Sequence, residues 1–182
     1  FSKAYSSALR VTAVMSAECD MPNGNVVPDF SSTDDIIKFE NVSFSYNGGA
    51  DDLSGISFTV KKGMSVGIIG GTGSGKTTLV NLIPRFYDAR AGAVYVAGTD
   101  VKNAKIKSLR NSISVVSQKT ELISGTIKEN IAFGRDISDE DAIKALKAAC
   151  GYDFVEAKPG KLEIEVEQNG ANFSGGQKQR LS

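Results

Sequence analysis

The feature that most constrains the fold is an apolar run that leads straight into a glycine-rich loop, at residues 64–77. The run MSVGII is nearly continuous in apolar residues, which is typical of a strand buried on both faces of a parallel sheet. After the loop, apolar residues recur at the period of an amphipathic helix, at Leu79, Leu82, Ile83 and Phe86. Pro84 predicts a kink or an early end of that helix. A buried strand, a tight loop and a helix in this order indicate an α/β fold.

The loop itself fits the pattern G-x-x-x-x-G-K-[ST] at every position. Its residues are Gly70, Gly71, Thr72, Gly73, Ser74, Gly75, Lys76 and Thr77. Glycines let consecutive amide N–H groups turn inward on phosphates, and the helix N-terminus adds partial positive charge. We therefore expect a nucleoside triphosphate here, with Lys76 on the β and γ phosphates and the Thr77 hydroxyl on Mg²⁺.

Two other interpretations concern this loop. A glycine-rich turn that happens to contain a lysine would share the composition, but the flanking strand and helix favour a phosphate cradle. Thr78 is a weaker candidate for nucleotide binding, because the position after Thr77 can also be an ordinary helix residue.

Composition excludes several classes of protein. The 182 residues are 41% hydrophobic and 23% charged, which suits a globular domain with a core. The 21 Lys and Arg residues equal the 21 Asp and Glu residues in number, so the chain has no net positive charge that would attract nucleic acid to its whole surface. Cys19 and Cys150 are far apart and histidine is absent, which indicates neither a zinc site nor a disulfide framework and favours a reducing compartment.

The sequence also carries no recognisable membrane or export signal. It has no run of 18 apolar residues and nothing that looks like a signal peptide. It begins with Phe1 rather than Met, which suggests a piece of a longer protein.

The part before the loop predicts a helix, a linker and strands. Residues 1–18 have helical spacing, and residues 19–35 contain two prolines and an Asn-Gly pair, which mark a linker. In IIKFENVSFSY the apolar alternation changes phase at Glu40-Asn41, so we expect two short strands or one bulged strand that ends at Tyr46. ISFTV is the next strand candidate.

The part after the loop predicts further strands and then helices. AVYVAG and SISVVSQ are strand candidates, with NAKIKSLRN as a helix between them. Ser138, three residues before Asp141, predicts a capped helix start, and Ile143, Leu146 and Cys150 should share one face of that helix. No internal repeat is apparent.

A second glycine-rich loop lies in NFSGGQKQRLS at the end of the sequence. Ser174 can cap a helix there, and Gly175 and Gly176 leave their N–H groups bare. Alone, this stretch could be a flexible cap. Together with the first loop, the order of motifs from Ile36 onward resembles the nucleotide-binding domain of an ATP-binding cassette (ABC) transporter, in which SGGQ is the signature loop.

The resemblance implies a P-loop NTPase core of α/β class, with an antiparallel β subdomain and a helical signature subdomain. It assigns residues 1–35 to a helical linker from a preceding membrane domain and residues 36–182 to a partial nucleotide-binding domain. Within that domain, 36–118 would form the β subdomain and core, and 119–182 the helical subdomain.

The resemblance also implies roles for single residues. Tyr46 would stack on adenine, although it could be an ordinary aromatic at a strand end. Gln118 would touch Mg²⁺ and act with Lys76 in catalysis, although it could be a polar strand terminus. Ser174, Gly175, Gly176 and Gln177 would close on ATP held by another domain.

ISGTIKENIAFG and EVEQNGANFSGGQ are similar to the exporter branch of the family. In that branch, two domains pair head to tail around two ATP molecules, and the region from Gln118 to Phe133 meets coupling helices of the transmembrane domain. The resemblance therefore implies a protein at the cytoplasmic face of the cell membrane that uses ATP hydrolysis to export a solute. It implies no nucleic-acid partner.

The sequence departs from the family pattern after the signature loop. The family places a Mg²⁺-binding Asp, a general base and a switch histidine beyond that point, and no apolar run upstream ends in a convincing acid. We expect an amino-terminal part of a longer protein that, alone, binds ATP weakly and hydrolyses almost none. Two alternatives stay open: a soluble ABC ATPase that transports nothing, and a non-catalytic nucleotide-binding fragment.

Overall fold

The structure is a computed structural model that describes residues 2–16 and 21–182. It divides into two compact units, Phe1–Ser114 and Val115–Ser182, which we call the first and second units. The first unit opens with helix α1, Ser2–Met15, and this confirms the predicted helix. From Tyr5 to Ser16 every side chain of this stretch is exposed. Among the described residues, no helix is both long and apolar enough to cross a bilayer.

A four-stranded antiparallel sheet forms the centre of the first unit. Its strands are β1 Asp35–Phe44, β2 Leu53–Lys61, β3 Ala91–Val96 and β4 Thr99–Asp100, in the order β2-β1-β3-β4. The pairing of β1 shifts register between Phe39 and Val42, where Asn41 takes a φ of 46°. The predicted phase change is therefore one bulged strand, which ends two residues before Tyr46.

Two short helices cover this sheet with apolar side chains. Helix α2 spans Lys76–Leu82 and helix α3 spans Ile106–Asn111. The α2 helix ends two residues before Pro84, as expected. The core contains Phe39, Val42, Leu82, Val94 and Leu109, all almost fully buried, and the ring of Phe39 stacks on Phe58 with centroids 4.6 Å apart.

Two strand predictions are wrong. Residues 64–70 and residues 112–118 form no strand, and their apolar side chains are largely exposed, with Ile69 98% exposed. A strand exists only where a neighbour completes its backbone hydrogen bonds, and none of the described segments pairs with either stretch. Their composition suits a buried parallel strand, but composition alone supplies no partner.

The second unit is mostly helical. Its helices are α4 Ile127–Ala132, α5 Asp139–Ala148, α6 Tyr152–Glu156 and α7 Gly175–Leu181, with 3-10 turns at Lys161–Glu163 and Gln168–Gly170. A small antiparallel pair, β5 Gly125–Thr126 and β6 Glu165–Val166, joins them. The core of this unit includes Ile127, Leu146, Val166, Phe173 and Leu181.

The helix predicted from Ser138 is present, and the Ser138 hydroxyl accepts a hydrogen bond from the Asp141 amide at 3.1 Å. Leu146 is buried and Ile143 packs against the same core. Cys150 is the exception: it is exposed and lies beyond the helix with a φ of 55°. The left-handed turn rotates it away from the apolar face, so its place on that face was wrongly predicted. Cys19 lies outside the described residues.

Candidate functional site

The glycine loop of the first unit turns sharply into helix α2. Gly73 and Gly75 have φ values of 80° and 81°, in the left-handed region that side chains rarely adopt. A Cβ atom on Gly75 would lie 2.7 Å from Leu53 Cδ2 and 3.0 Å from the Asp52 carbonyl oxygen. Both the backbone angle and the packing against the start of β2 therefore require glycine at position 75.

The Lys76 ammonium lies inside this loop. Its Nζ donates to the carbonyl oxygens of Gly70 at 2.8 Å and Gly71 at 2.6 Å, and to Ser74 Oγ at 3.2 Å. The structure thus brings three of the predicted residues around the positive charge of a fourth, Lys76. Thr72, Gly73 and Thr77 belong to the same exposed stretch. An anion that entered the loop could replace these carbonyl oxygens as the partner of the ammonium.

Thr77 is the predicted metal ligand of this loop, and its side chain is exposed. Among residues 2–16 and 21–182, no group of three or more His, Cys, Asp and Glu side chains could hold a metal ion. The Thr77 hydroxyl alone supplies too few donors for a protein cage. Mg²⁺ commonly takes most of its ligands from water and substrate phosphates, so the donor set fits Mg²⁺ only together with a bound triphosphate.

Tyr46 lies next to helix α2, close to the glycine loop. Its hydroxyl donates to Thr78 Oγ1 at 3.3 Å, and its backbone amide donates to Asp52 Oδ2 at 3.0 Å. Tyr46 as a whole residue is 45% exposed, whereas Thr78 is 7% exposed. The structure therefore connects two of the predicted nucleotide-binding residues through their own hydroxyl groups.

Sequence reasoning missed Tyr87, which stands beside Tyr46. The two rings are perpendicular with centroids 5.0 Å apart, and Phe44 makes a similar edge contact with Tyr46 at 4.8 Å. Tyr87 follows the helix by several residues and has no periodic signal of its own. Only the turn after Leu82, which the sequence predicted through Pro84, could have suggested its position.

Sequence reasoning also missed Arg85, which is 1% exposed. Its guanidinium donates to both carboxylate oxygens of Asp88, at 2.7 and 3.0 Å, and to the carbonyl oxygens of Pro22 and Lys102, each at 3.0 Å. Burial of a charge is tolerated when it is paired and hydrogen-bonded in this way. Arg85 therefore fixes the segment before β1 to the turn that follows helix α2.

That segment, residues 22–26, is held along its length, and we call it the strap. Val26 donates to the Asn103 carbonyl at 3.0 Å and accepts from the Lys105 amide at 2.7 Å. Asn23 Oδ1 accepts from the amide of Ile106, the first residue of α3, at 2.9 Å. A Cβ on Gly24 would lie 2.1 Å from the Asn103 carbonyl oxygen, so only glycine fits there. The predicted linker is bound to the first unit over this stretch.

The glycine-rich loop of the second unit begins helix α7 in a different way. Ser174 Oγ accepts from the Gln177 amide at 3.3 Å, and Gln177 Oε1 accepts from the Ser174 amide at 3.0 Å, which is a complete capping box. Gly175 and Gly176 have no left-handed φ, and a Cβ on either would meet nothing within 4 Å. The capping prediction for Ser174 is confirmed.

Gln118 also lies in the second unit, in a bend with an exposed side chain. Beyond it, Ile123 and Phe133 are exposed and line an open pocket of about 450 Å³ with Ser124, Glu129, Asn130 and Gly134. Asn130 braces this pocket, since its side chain accepts from the Ile123 amide and donates to the Ile123 carbonyl, both at 2.8 Å.

The comparisons with known proteins all indicate the same family. The sequence model described as ABC transporter matches residues 53–182. The ATP-dependent lipid A-core flippase of Methylobacillus flagellatus is 46% identical over 149 residues, which cover 80% of this chain and 26% of the flippase. The beta-(1→2)glucan export ATP-binding/permease protein of Rhizobium johnstonii is 39% identical over 91% of this chain and 28% of its own length.

Solved structures agree with these sequences. A bacterial Atm1-family ABC exporter with ATP bound has a TM-score of 0.87 and 32% identity, and the match covers 98% of this chain and 32% of that protein. The chain spans roughly a quarter to a third of the length of the curated relatives that it matches.

Proposed function

Since the chain belongs to the ABC transporter family, we propose that it is the ATP-binding domain of an exporter that couples ATP hydrolysis to the outward movement of a solute. The observation that carries this proposal is the glycine loop with the Lys76 ammonium at its centre, held by the carbonyl oxygens of Gly70 and Gly71. The loop binds the β and γ phosphates, and Tyr46 stacks on the adenine.

Lys76 places a fixed positive charge where negative charge concentrates during phosphoryl transfer. Mg²⁺ supplies further charge neutralisation when it is bound, and the residues that would hold it are Thr77 and Gln118. The glycine loop supplies backbone N–H donors from Gly71 to Gly75. These residues bind and orient ATP. The acid, base and histidine that complete hydrolysis in the family are not among these 182 residues, so we propose that the chain alone turns over ATP slowly.

The signature loop acts on a second copy of the domain. Gly175 and Gly176 have ordinary helical backbone angles and open space at Cβ, so the fold of this chain requires neither glycine. Glycine in a helix is less stable than alanine by up to about 1 kcal/mol. Close approach of a partner to the bare N–H groups explains why such residues stand at the start of α7. We propose that this partner is ATP in the glycine loop of another nucleotide-binding domain, in a head-to-tail dimer.

The pocket lined by Ile123 and Phe133 is the docking surface that we propose for a coupling helix of the transmembrane domain. Two large apolar side chains stay exposed on a framework that Asn130 fixes, which suits a short helix pressed into a groove. Within this proposal the domain lies at the cytoplasmic face of the membrane, and residues 1–35 join it to the membrane domain. We also propose residues 36–118 as the β subdomain and core and residues 119–182 as the helical subdomain, a boundary four residues beyond the one between the two compact units.

The test is ATP binding and hydrolysis by the full native protein with single substitutions. Lys76→Ala should lower turnover by at least about 100-fold, because it removes a preorganised charge. Lys107→Ala, on the exposed side of α3, is the control and should keep normal turnover. Gly176→Ala should abolish ATP-dependent pairing of the domains while the isolated fold stays intact. Normal ATP binding and turnover by Lys76→Ala would overturn the proposal.

A further inference from the structure

The hydroxyl groups of Tyr46 and Thr78 connect the aromatic ring proposed for adenine to the helix that starts at the phosphate loop. The distance between the two oxygens is 3.3 Å. Thr78 is the third residue of α2, directly after Lys76 and Thr77, and it is buried. The first turn of α2 therefore carries both the phosphate-facing residues and the group that holds the tip of Tyr46.

Three further contacts restrain the Tyr46 ring. The backbone amide of Tyr46 donates to Asp52 Oδ2 at 3.0 Å, which fixes the residue after β1. Phe44 and Tyr87 contact the ring in perpendicular arrangements at 4.8 and 5.0 Å. Even so, 45% of the residue stays exposed. A ring that is held at its tip, its backbone and its sides, yet is partly open to solvent, is preorganised to receive a flat ligand.

We propose that Thr78 is a positioning residue that sets the orientation of Tyr46 for the adenine base, rather than a direct ligand of the phosphates. This inference rests on the proposed function. It makes base recognition dependent on the helix that also presents Lys76. A nucleoside triphosphate with an aromatic base would then bind to a prearranged pair of sites, whereas a free triphosphate would use only the loop.

Without this hydrogen bond, the Tyr46 ring would have several orientations in the free protein. ATP binding would then have to order the ring. Ordering one side chain on binding costs about three- to tenfold in affinity. The loss should appear only for ligands that carry the base. A direct phosphate ligand would behave differently, since its removal would weaken every ligand that carries the triphosphate.

The experiment measures the Kd of ATP and of inorganic tripolyphosphate for the full native protein. Thr78→Val removes the hydroxyl and keeps the side-chain shape, and Tyr46→Phe removes the other half of the bond. Each should weaken ATP about three- to tenfold and leave tripolyphosphate binding unchanged. The double variant should be no weaker than either single variant, because both remove the same hydrogen bond. Thr78→Ser keeps the hydroxyl and should bind ATP normally.

Tyr46→Phe keeps the test decisive if Thr78→Val fails to fold, because it changes only the tip of a partly exposed ring. Equal weakening of ATP and tripolyphosphate by Thr78→Val would make Thr78 a phosphate ligand and overturn the inference while the proposed function stands. Additive losses in the double variant would also overturn it. If Tyr46→Ala binds ATP as tightly as the native protein, the adenine role of Tyr46 in the proposed function fails as well.

Discussion

The two glycine-rich loops, one in each unit, lead into helices of seven residues but are stabilised by different means. Before α2, the N-cap is Gly75 with a left-handed backbone and no side-chain cap, and the lysine that follows binds carbonyl oxygens of its own loop. Before α7, Ser174 and Gln177 form a capping box around glycines with ordinary angles. Glycine shapes the first loop, whereas side chains shape the second.

This difference separates two reasons for a glycine. Gly75 is required by the fold of the chain itself, through its φ of 81° and its contact with Leu53. Gly175 and Gly176 meet neither requirement. Glycines that the fold does not need point to something outside the chain that comes close to them. The predictions below test this contrast, from the largest expected effect to the smallest.

Gly75→Ala should lower the free energy of unfolding of the first unit by about 2–4 kcal/mol, from a left-handed alanine and a clash with Leu53. Gly63 separates the two causes, because it has a φ of 77° and open space around a Cβ. Gly63→Ala should cost only about 1–2 kcal/mol. Urea unfolding measures both. Equal losses for the two variants would show that packing against Leu53 contributes nothing.

Ser174→Ala should destabilise the second unit by about 1 kcal/mol, since it removes the cap of α7. Ser174→Thr keeps the acceptor oxygen and should cost little. The matched change in the first unit is Ser74→Ala, which removes a hydroxyl bonded to Lys76 but no helix cap. It should change stability by less than about 0.5 kcal/mol. The contrast between the loops is wrong if Ser74→Ala proves as costly as Ser174→Ala.

Gly175→Ala should raise the free energy of unfolding by about 0.5–1 kcal/mol, because alanine loses less backbone entropy and meets no atom. The same variant should impair ATP-dependent pairing of domains. Thermal unfolding and size-exclusion chromatography with ATP measure the two effects. A destabilised variant would mean that the fold, rather than a partner, requires this glycine.

The smallest effect concerns pH, where the two units should behave alike. A hydrogen bond from Lys38 lowers the pKa of Glu40 in the first unit, and one from Lys161 lowers the pKa of Glu156 in the second. A lowered pKa means that the folded state binds fewer protons than the unfolded state. The resulting stability is present above the ordinary value of 4.5 and is lost as the pH falls through the folded pKa.

Glu40→Gln and Glu156→Gln should therefore each remove a small part of the acid dependence of unfolding, measured by urea titration between pH 3 and 6. Both pairs are exposed to solvent, so the effect should be slight. Glu140→Gln on α5 is the control for loss of a surface charge. A steeper acid dependence in either test variant would contradict the sign given above.

Local rules predicted the parts of this fold that depend on neighbouring residues. Pro84 marked the early end of α2, the phase change at Glu40-Asn41 marked the bulge, and Ser138 and Ser174 marked helix starts. Each of these depends on a few adjacent positions. The glycine loop belongs to the same class, since its glycines and lysine lie within eight residues.

Prediction failed where distant partners decide the structure. Residues 64–70 look like a buried strand by composition, but a strand needs neighbours that a local pattern does not reveal. Arg85 binds the carbonyl of Pro22, 63 positions earlier, and nothing near either residue signals that contact. Cys150 was predicted on the apolar face of α5, but the chain takes a left-handed turn at this residue, which therefore does not lie on that face.

The strap limits how far helix α1 can lie from the rest of the first unit. Residues 22–26 are fixed to the turn after α2 and to the start of α3, so a tether between α1 and the sheet would be anchored well before the first strand. A 14-residue helix is about 21 Å long. A partner bound along α1 would thus be tethered, through the strap, to the turn after α2 and to the start of α3, and tethering of this kind gives effective concentrations on the order of millimolar. A partner too weak to bind from free solution could then act on this domain continuously.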